Sequence, residues 1–174
     1  QNQEHQKTQK SITRADVDNH IPQNNQNNEN TFVVIIANEN YQEVAKVPYT
    51  INDGEIFAEY CKKTLGIPET NISFVKDATA NNMKREIRWL TQILNQYKGE
   101  GKAILYYAGH GIPDESTKDA FLLPIDGYGD DPESGYSLND LYKTLNEAPS
   151  KSTLVFLDAC FSGSQRGEGM LSSA

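Results

Sequence analysis

Cys160 and His110, 50 residues apart, are the side chains in this sequence best suited to nucleophilic chemistry. A thiolate attacks a carbonyl carbon, and an imidazole within reach takes the thiol proton and later returns it to a leaving group. Each residue follows an apolar run: Gly109-His110-Gly111 comes after Ala103–Ala108, and Asp158-Ala159-Cys160-Phe161-Ser162-Gly163 comes after Thr153–Leu157. The alternatives are poorer. His5 and His20 lie in a polar N-terminal tract, and Cys61 falls on the apolar side of a helical repeat, where a buried thiol is usually inert packing. Taken singly, a cysteine at a strand end is more often a packing residue, and Gly-His-Gly is more often an ordinary turn. Their joint occurrence at two strand ends is what points to catalysis. Gly109 and Gly111 allow a substrate close to the backbone, and the amides of Gly111 and Cys160 are candidate donors to a developing oxyanion.

The surrounding elements must bring the two together. Thr31–Ala37 is a continuous apolar, largely β-branched run, the mark of a strand buried on both faces. Ile56, Phe57, Tyr60, Cys61 and Leu65 predict a helix from about Asp53, ended by Gly66 and Pro68. Ile72–Val75 is a second strand, and Met83, Ile87, Leu90, Leu94 and Tyr97 predict a second helix stopping at Gly99. Ala103–Ala108 is the third strand, Phe121–Pro124 a short extended piece in a loop-rich insert, Leu138–Leu145 a third helix, and Thr153–Leu157 the fourth strand. This alternation predicts an α/β fold with a largely parallel central sheet flanked by helices, in which sites form beyond the carboxyl ends of the strands.

Composition narrows the function. The 174 residues carry 16 Lys plus Arg against 24 Asp plus Glu, a net charge of −8, which argues against a nucleic-acid binder with a basic face. An acidic surface fits a solvated exterior and a site for cationic groups equally well. No apolar run reaches the roughly 20 residues of a membrane helix. Two cysteines without a CxxC pair indicate neither a disulfide framework nor a cysteine-rich zinc site.

The paired motifs, Tyr106-Tyr107-Ala108-Gly109-His110-Gly111 and Asp158-Ala159-Cys160-Phe161-Ser162-Gly163, resemble the caspase superfamily of cysteine peptidases. A histidine about 50 residues upstream of the cysteine is part of that superfamily's known pattern. The resemblance covers about Thr31 to Ala174 and is nearest to metacaspases and their bacterial relatives, the orthocaspases. It implies a caspase-like fold, His110 and Cys160 as the catalytic dyad, and the Gly111 and Cys160 amides as the oxyanion hole. Where caspases that cut after Asp have Gln two residues before the cysteine, this sequence has Asp158, as metacaspases do. Residues two apart on a strand share a side, so Asp158 is expected beside Cys160 in the first specificity pocket. Asn52-Asp53 resembles the pair that supplies a second acidic pocket residue, although Asp53 also reads as a first-turn acidic residue of its helix. Two carboxylates in one cleft favour a guanidinium or ammonium guest, which predicts peptide substrates cut after Arg or Lys. Phe161 departs from the pattern, standing where many metacaspases carry His. Many metacaspases need calcium. The acidic loop of Asp126, Asp130, Asp131 and Glu133 offers hard oxygen ligands, but without clear calcium-loop spacing it reads first as a solvated turn. No cofactor is required by the sequence itself.

Three parts are expected along the chain: a polar Asn/Gln-rich leader or prodomain remnant over 1–30, flexible and thinly hydrophobic; a catalytic large subunit over 31–164; and a Gly/Ser-containing linker over 165–174. A caspase-like fold needs further strands, so a downstream small subunit of the same precursor is expected to complete it, with self-processing at Arg166 or at a basic residue after Ala174. The start at Gln1 suggests that an upstream piece has been removed, and cytoplasmic and exported locations both fit. The competing readings are a catalytically silent scaffold or regulatory domain of the same fold, and a clostripain- or legumain-like peptidase.

Overall fold

The computed structural model of the protein describes residues 20–114, 116–159 and 161. The expected nucleophile Cys160, residues 1–19 of the leader and the linker over 165–174 lie outside the described residues.

Four parallel strands form the central sheet in the order β2-β1-β3-β7. They are β1 (Thr31–Ala37), β2 (Ile72–Lys76), β3 (Lys102–Ala108) and β7 (Ser152–Asp158). β1 is buried along its whole length, as its unbroken apolar run requires in a strand with neighbours on both edges and helices on both faces. The helices are α1 (Thr50–Lys63), α2 (Ala80–Gln96) and α3 (Leu138–Glu147). On one face Phe32, Val34, Ile36, Ala103, Leu105 and Tyr107 pack against α2 and α3 through Met83, Ile87, Leu90, Leu94, Leu141 and Leu145. On the other, Val33, Ile35 and Ile104 meet α1 through Cys61, Phe57 and Ala58. Residue parity along each strand decides the face, so one sequence run feeds two cores.

The chain leaves β1 toward β2 and returns across it to β3. This reversal of winding puts a topological switch point at the carboxyl ends of β1 and β3, the place where ligands of open α/β sheets bind.

The first two helices begin earlier than periodicity alone predicts. α1 starts at Thr50, ahead of Asp53, and α2 at Ala80, ahead of Met83. For α2 the reason is a capping box: the Asn82 amide donates to the Thr79 hydroxyl at 3.3 Å, and the Thr79 amide donates to the Asn82 side chain at 3.2 Å. The insert after β3, expected as loop with one extended piece, forms an antiparallel sheet of β4 (Gly111–Asp114), β5 (Asp119–Leu122) and β6 (Tyr136–Ser137). Strands of two to four residues interrupted by Pro113 and Asp119 carry no alternation long enough to register as a pattern.

The Asn-rich stretch just before β1 docks on the end of α1. The end of α1 leaves carbonyls without helical partners, and the leader satisfies them. Asn24 N–H donates to the Lys63 carbonyl and Asn28 N–H to the Gly66 carbonyl, both at 2.9 Å, while the Asn28 side chain donates to the Leu65 carbonyl. The Thr64 hydroxyl in turn donates to the Pro22 carbonyl at 2.6 Å.

Candidate active site

β3 and β7 pair in register from Lys102↔Ser152 to Ala108↔Asp158, so the two expected motifs leave the same rim of the sheet from adjacent strands. The pairing continues one step further, with Gly109 N–H donating to the Asp158 carbonyl at 3.2 Å. On the β7 side the chain is described through Ala159 and again at Phe161. The ring of Phe161 lies over Gly111, with Cε1 2.4 Å from where a Cβ would stand, so any side chain at that position would displace it. Both neighbours of Cys160 in sequence thus lie at the rim that carries His110.

His110 is half-buried and held on several sides. Its N–H donates to the Tyr41 hydroxyl at 2.8 Å. Its carbonyl accepts from the Leu123 amide at 3.0 Å and the Tyr107 hydroxyl at 2.7 Å. The Tyr41 ring lies 4.8 Å from the imidazole, tilted by 50°. Nε2 lies 2.8 Å from the Ala45 carbonyl. A carbonyl only accepts, so Nε2 carries the hydrogen and Nδ1 keeps the lone pair of the neutral ring. Burial holds the imidazole pKa below its ordinary 6.5, and the Ala45 carbonyl opposes this in part. A neutral imidazole whose Nδ1 lone pair can accept is in the state a general base requires.

Asp158 ends β7 as an exposed residue on the α1 face, the side of Leu154 and Phe156. Asp53 is in the first turn of α1. Both carboxylates act on Tyr106, whose phenol is pushed up to about 12 by burial first, then by Asp158, then by Asp53. Both carboxylates are therefore near enough to Tyr106 to act on its phenol. Tyr106 belongs to an aromatic cluster: Phe57 stacks on it at 4.5 Å and meets Phe156 at 5.5 Å. Among the described residues no Lys or Arg pairs with Asp53 or Asp158.

The four acidic residues weighed for calcium are not gathered into a cage. Asp126 accepts from the Ala80 amide at the start of α2 at 2.8 Å, and Asp131 accepts from the Glu133 amide at 3.1 Å. Asp130 and Glu133 are exposed, and among the described residues no group of three or more His, Cys, Asp or Glu could hold a metal ion. No helix of the described residues is long and apolar enough to cross a membrane.

Sequence reasoning passed over Tyr41, Ala45 and Tyr107. The signal for Tyr107 was present: a phenol in a strand buried on both faces must find a hydrogen-bond partner. Ala45 left no trace, since it contributes only a carbonyl.

Compared with known families, residues 30–173 match the family model described as a caspase domain. No curated protein matches the chain.

Proposed function

The chain belongs to the caspase-domain family of cysteine peptidases, and from that premise we propose that it is an endopeptidase of metacaspase or orthocaspase type, cutting after Arg or Lys with Cys160 as nucleophile and His110 as base. The observation that carries this reading is the state of His110, a neutral imidazole with Nε2–H fixed on the Ala45 carbonyl, on the strand end paired with the one that leads to Cys160. Nδ1 takes the thiol proton and the sulfur adds to the scissile carbonyl. The amides of Gly111 and Cys160 stabilise the oxyanion. Collapse expels the amine, which receives the proton from the imidazolium and leaves a thioester. Water, deprotonated by the same imidazole, attacks the thioester and releases the acid, and the proton returns to the thiol.

Specificity for a basic residue is supported by Asp53 and Asp158, two carboxylates that pair with no Lys or Arg among the described residues and both act on the Tyr106 phenol. A guanidinium or ammonium would neutralise both, while an acidic side chain would meet repulsion.

A downstream segment of the same precursor completes the enzyme in this reading. β7 is an edge strand in the described sheet, and α1 packs mainly on β1, β3 and β2 and meets β7 through Phe57 on Phe156, leaving Leu154 52 % and Phe156 44 % exposed on that face. A further strand pairing with β7 and a helix over these side chains would bury both. Release of that segment after a basic residue, with Arg166 a candidate, is the activating step we propose.

The test is hydrolysis of fluorogenic peptides ending in Arg, Lys, Asn or Asp by the precursor with its downstream segment, with and without calcium, against Cys160→Ala. Turnover of the Arg or Lys peptides that Cys160→Ala abolishes is expected. Turnover of the Asn peptide alone would indicate legumain-like specificity, and no turnover of any peptide would leave a silent regulatory domain.

A further inference from the structure

Two buried tyrosines hold the main chain of His110 at both ends. Tyr41 accepts from its N–H at 2.8 Å, and Tyr107 donates to its carbonyl at 2.7 Å. The hydroxyls stand 3.4 Å apart and both reach the Leu123 carbonyl, Tyr41 at 3.3 Å and Tyr107 at 2.9 Å. Each phenol has one proton and two acceptor lone pairs. Tyr107 donating to His110 and Tyr41 donating to Leu123, while accepting from the His110 amide, is a consistent arrangement.

The pair also explains Gly109. At φ +156° a Cβ would stand 2.4 Å from the Tyr41 hydroxyl and 2.8 Å from the Tyr107 hydroxyl, so only glycine lets the hydroxyls close on the residue that follows. Tyr41 does more than touch the main chain. Its ring flanks the imidazole, and four residues on, the same loop presents the Ala45 carbonyl to Nε2. The loop is itself anchored by the Asp77 carboxylate, which accepts from the Glu39 and Asn40 amides at 2.9 and 2.8 Å.

We infer that Tyr41 and Tyr107 are positioning residues for the imidazole: their hydroxyls clamp the His110 backbone, and Tyr41 seats the loop that fixes Nε2–H, so that the ring keeps one orientation and one tautomer. The kinetic consequence rests on the proposed role of His110 as base; the clamp itself does not. Burial pushes the Tyr41 phenol up to about 12 and that of Tyr107 well above its ordinary 10, so both keep their protons at neutral pH.

The test is 15N-histidine NMR of the full chain, with His110 assigned by His110→Gln, in the wild type, Tyr41→Phe, Tyr107→Phe and the remote control Tyr97→Phe. The wild type and the control are expected to show the Nε2–H tautomer alone. Each clamp variant is expected to add a visible Nδ1–H fraction and to lower kcat roughly tenfold with KM within about twofold, part of the factor a positioned base supplies. A purely structural pair would lower Tm while leaving the tautomer and the kcat-to-KM pattern unchanged, and that result overturns the clamp. Where a variant does not fold, exchange in the wild type decides: the His110 amide and both phenol protons are expected to be protected, and surface-like exchange overturns the inference. An inactive wild type with the tautomer response intact would count against the peptidase reading alone; an active one without that response would count against the clamp alone.

Discussion

Burial and one backbone carbonyl set the protonation of His110, and the sign of its pH dependence follows. Its folded pKa lies below the ordinary 6.5, so the unfolded chain binds the proton first as the pH falls. The stability that follows from this difference is fully present above 6.5 and is lost as the pH drops through the folded pKa. Urea unfolding at about pH 7.5 and about pH 5.5 should show a larger loss for the wild type than for His110→Gln; equal losses would contradict the depressed pKa. Cys61 behaves in the opposite sense: burial pushes its thiol up to about 12, so it is not a nucleophile near neutral pH. Mass spectrometry after iodoacetamide should find one adduct, at Cys160, on the native protein and two on the unfolded protein. An adduct at Cys61 under native conditions would show that this core site is open.

At the level of elements, the central sheet and its helices are what the sequence reveals best, because β1 is apolar without interruption and α2 repeats Met83, Ile87, Leu90 and Leu94 on one face. These long patterns report burial directly. The small sheet of β4, β5 and β6 does not, since its strands are too short to show a period. The loop between β1 and α1 is hidden for another reason. Its contribution to the site is one phenol and one carbonyl whose partners lie 69 and 65 residues away in sequence. The motifs located His110 and singled out Asp53 and Asp158; the means by which the histidine is held needed coordinates. Two consequences can be measured. Thr79→Ala removes half of the α2 capping box and should cost about 1 kcal/mol in chemical denaturation. Leu90→Ala, at a fully buried position of the same helix, should cost about 2–5 kcal/mol. A Leu90→Ala loss no larger than that of Thr79→Ala would mean that this face of α2 is not core.

Among the described residues, no strand pairs with the outer edge of β7. Alternate residues of β7 face solvent on the α1 side, and they include Leu154 and Phe156. Placing a charge there should weaken association with the downstream segment more than it lowers the stability of the described domain, because these side chains are about half exposed to begin with. Phe156→Glu is therefore expected to release that segment in size-exclusion chromatography after processing, and co-elution as in the wild type would contradict the docking role of this edge. In the proposed enzyme a thiol at position 160, served by His110, reacts with carbonyl compounds presenting a basic side chain. Intact-mass and peptide analysis of the protein after incubation with an arginyl acyloxymethyl ketone tests it most directly. A single adduct on Cys160 is expected, nearly absent in His110→Ala and not formed with the aspartyl analogue. Labelling that is indifferent to His110, located on another residue, or equal for the arginyl and aspartyl reagents would contradict it.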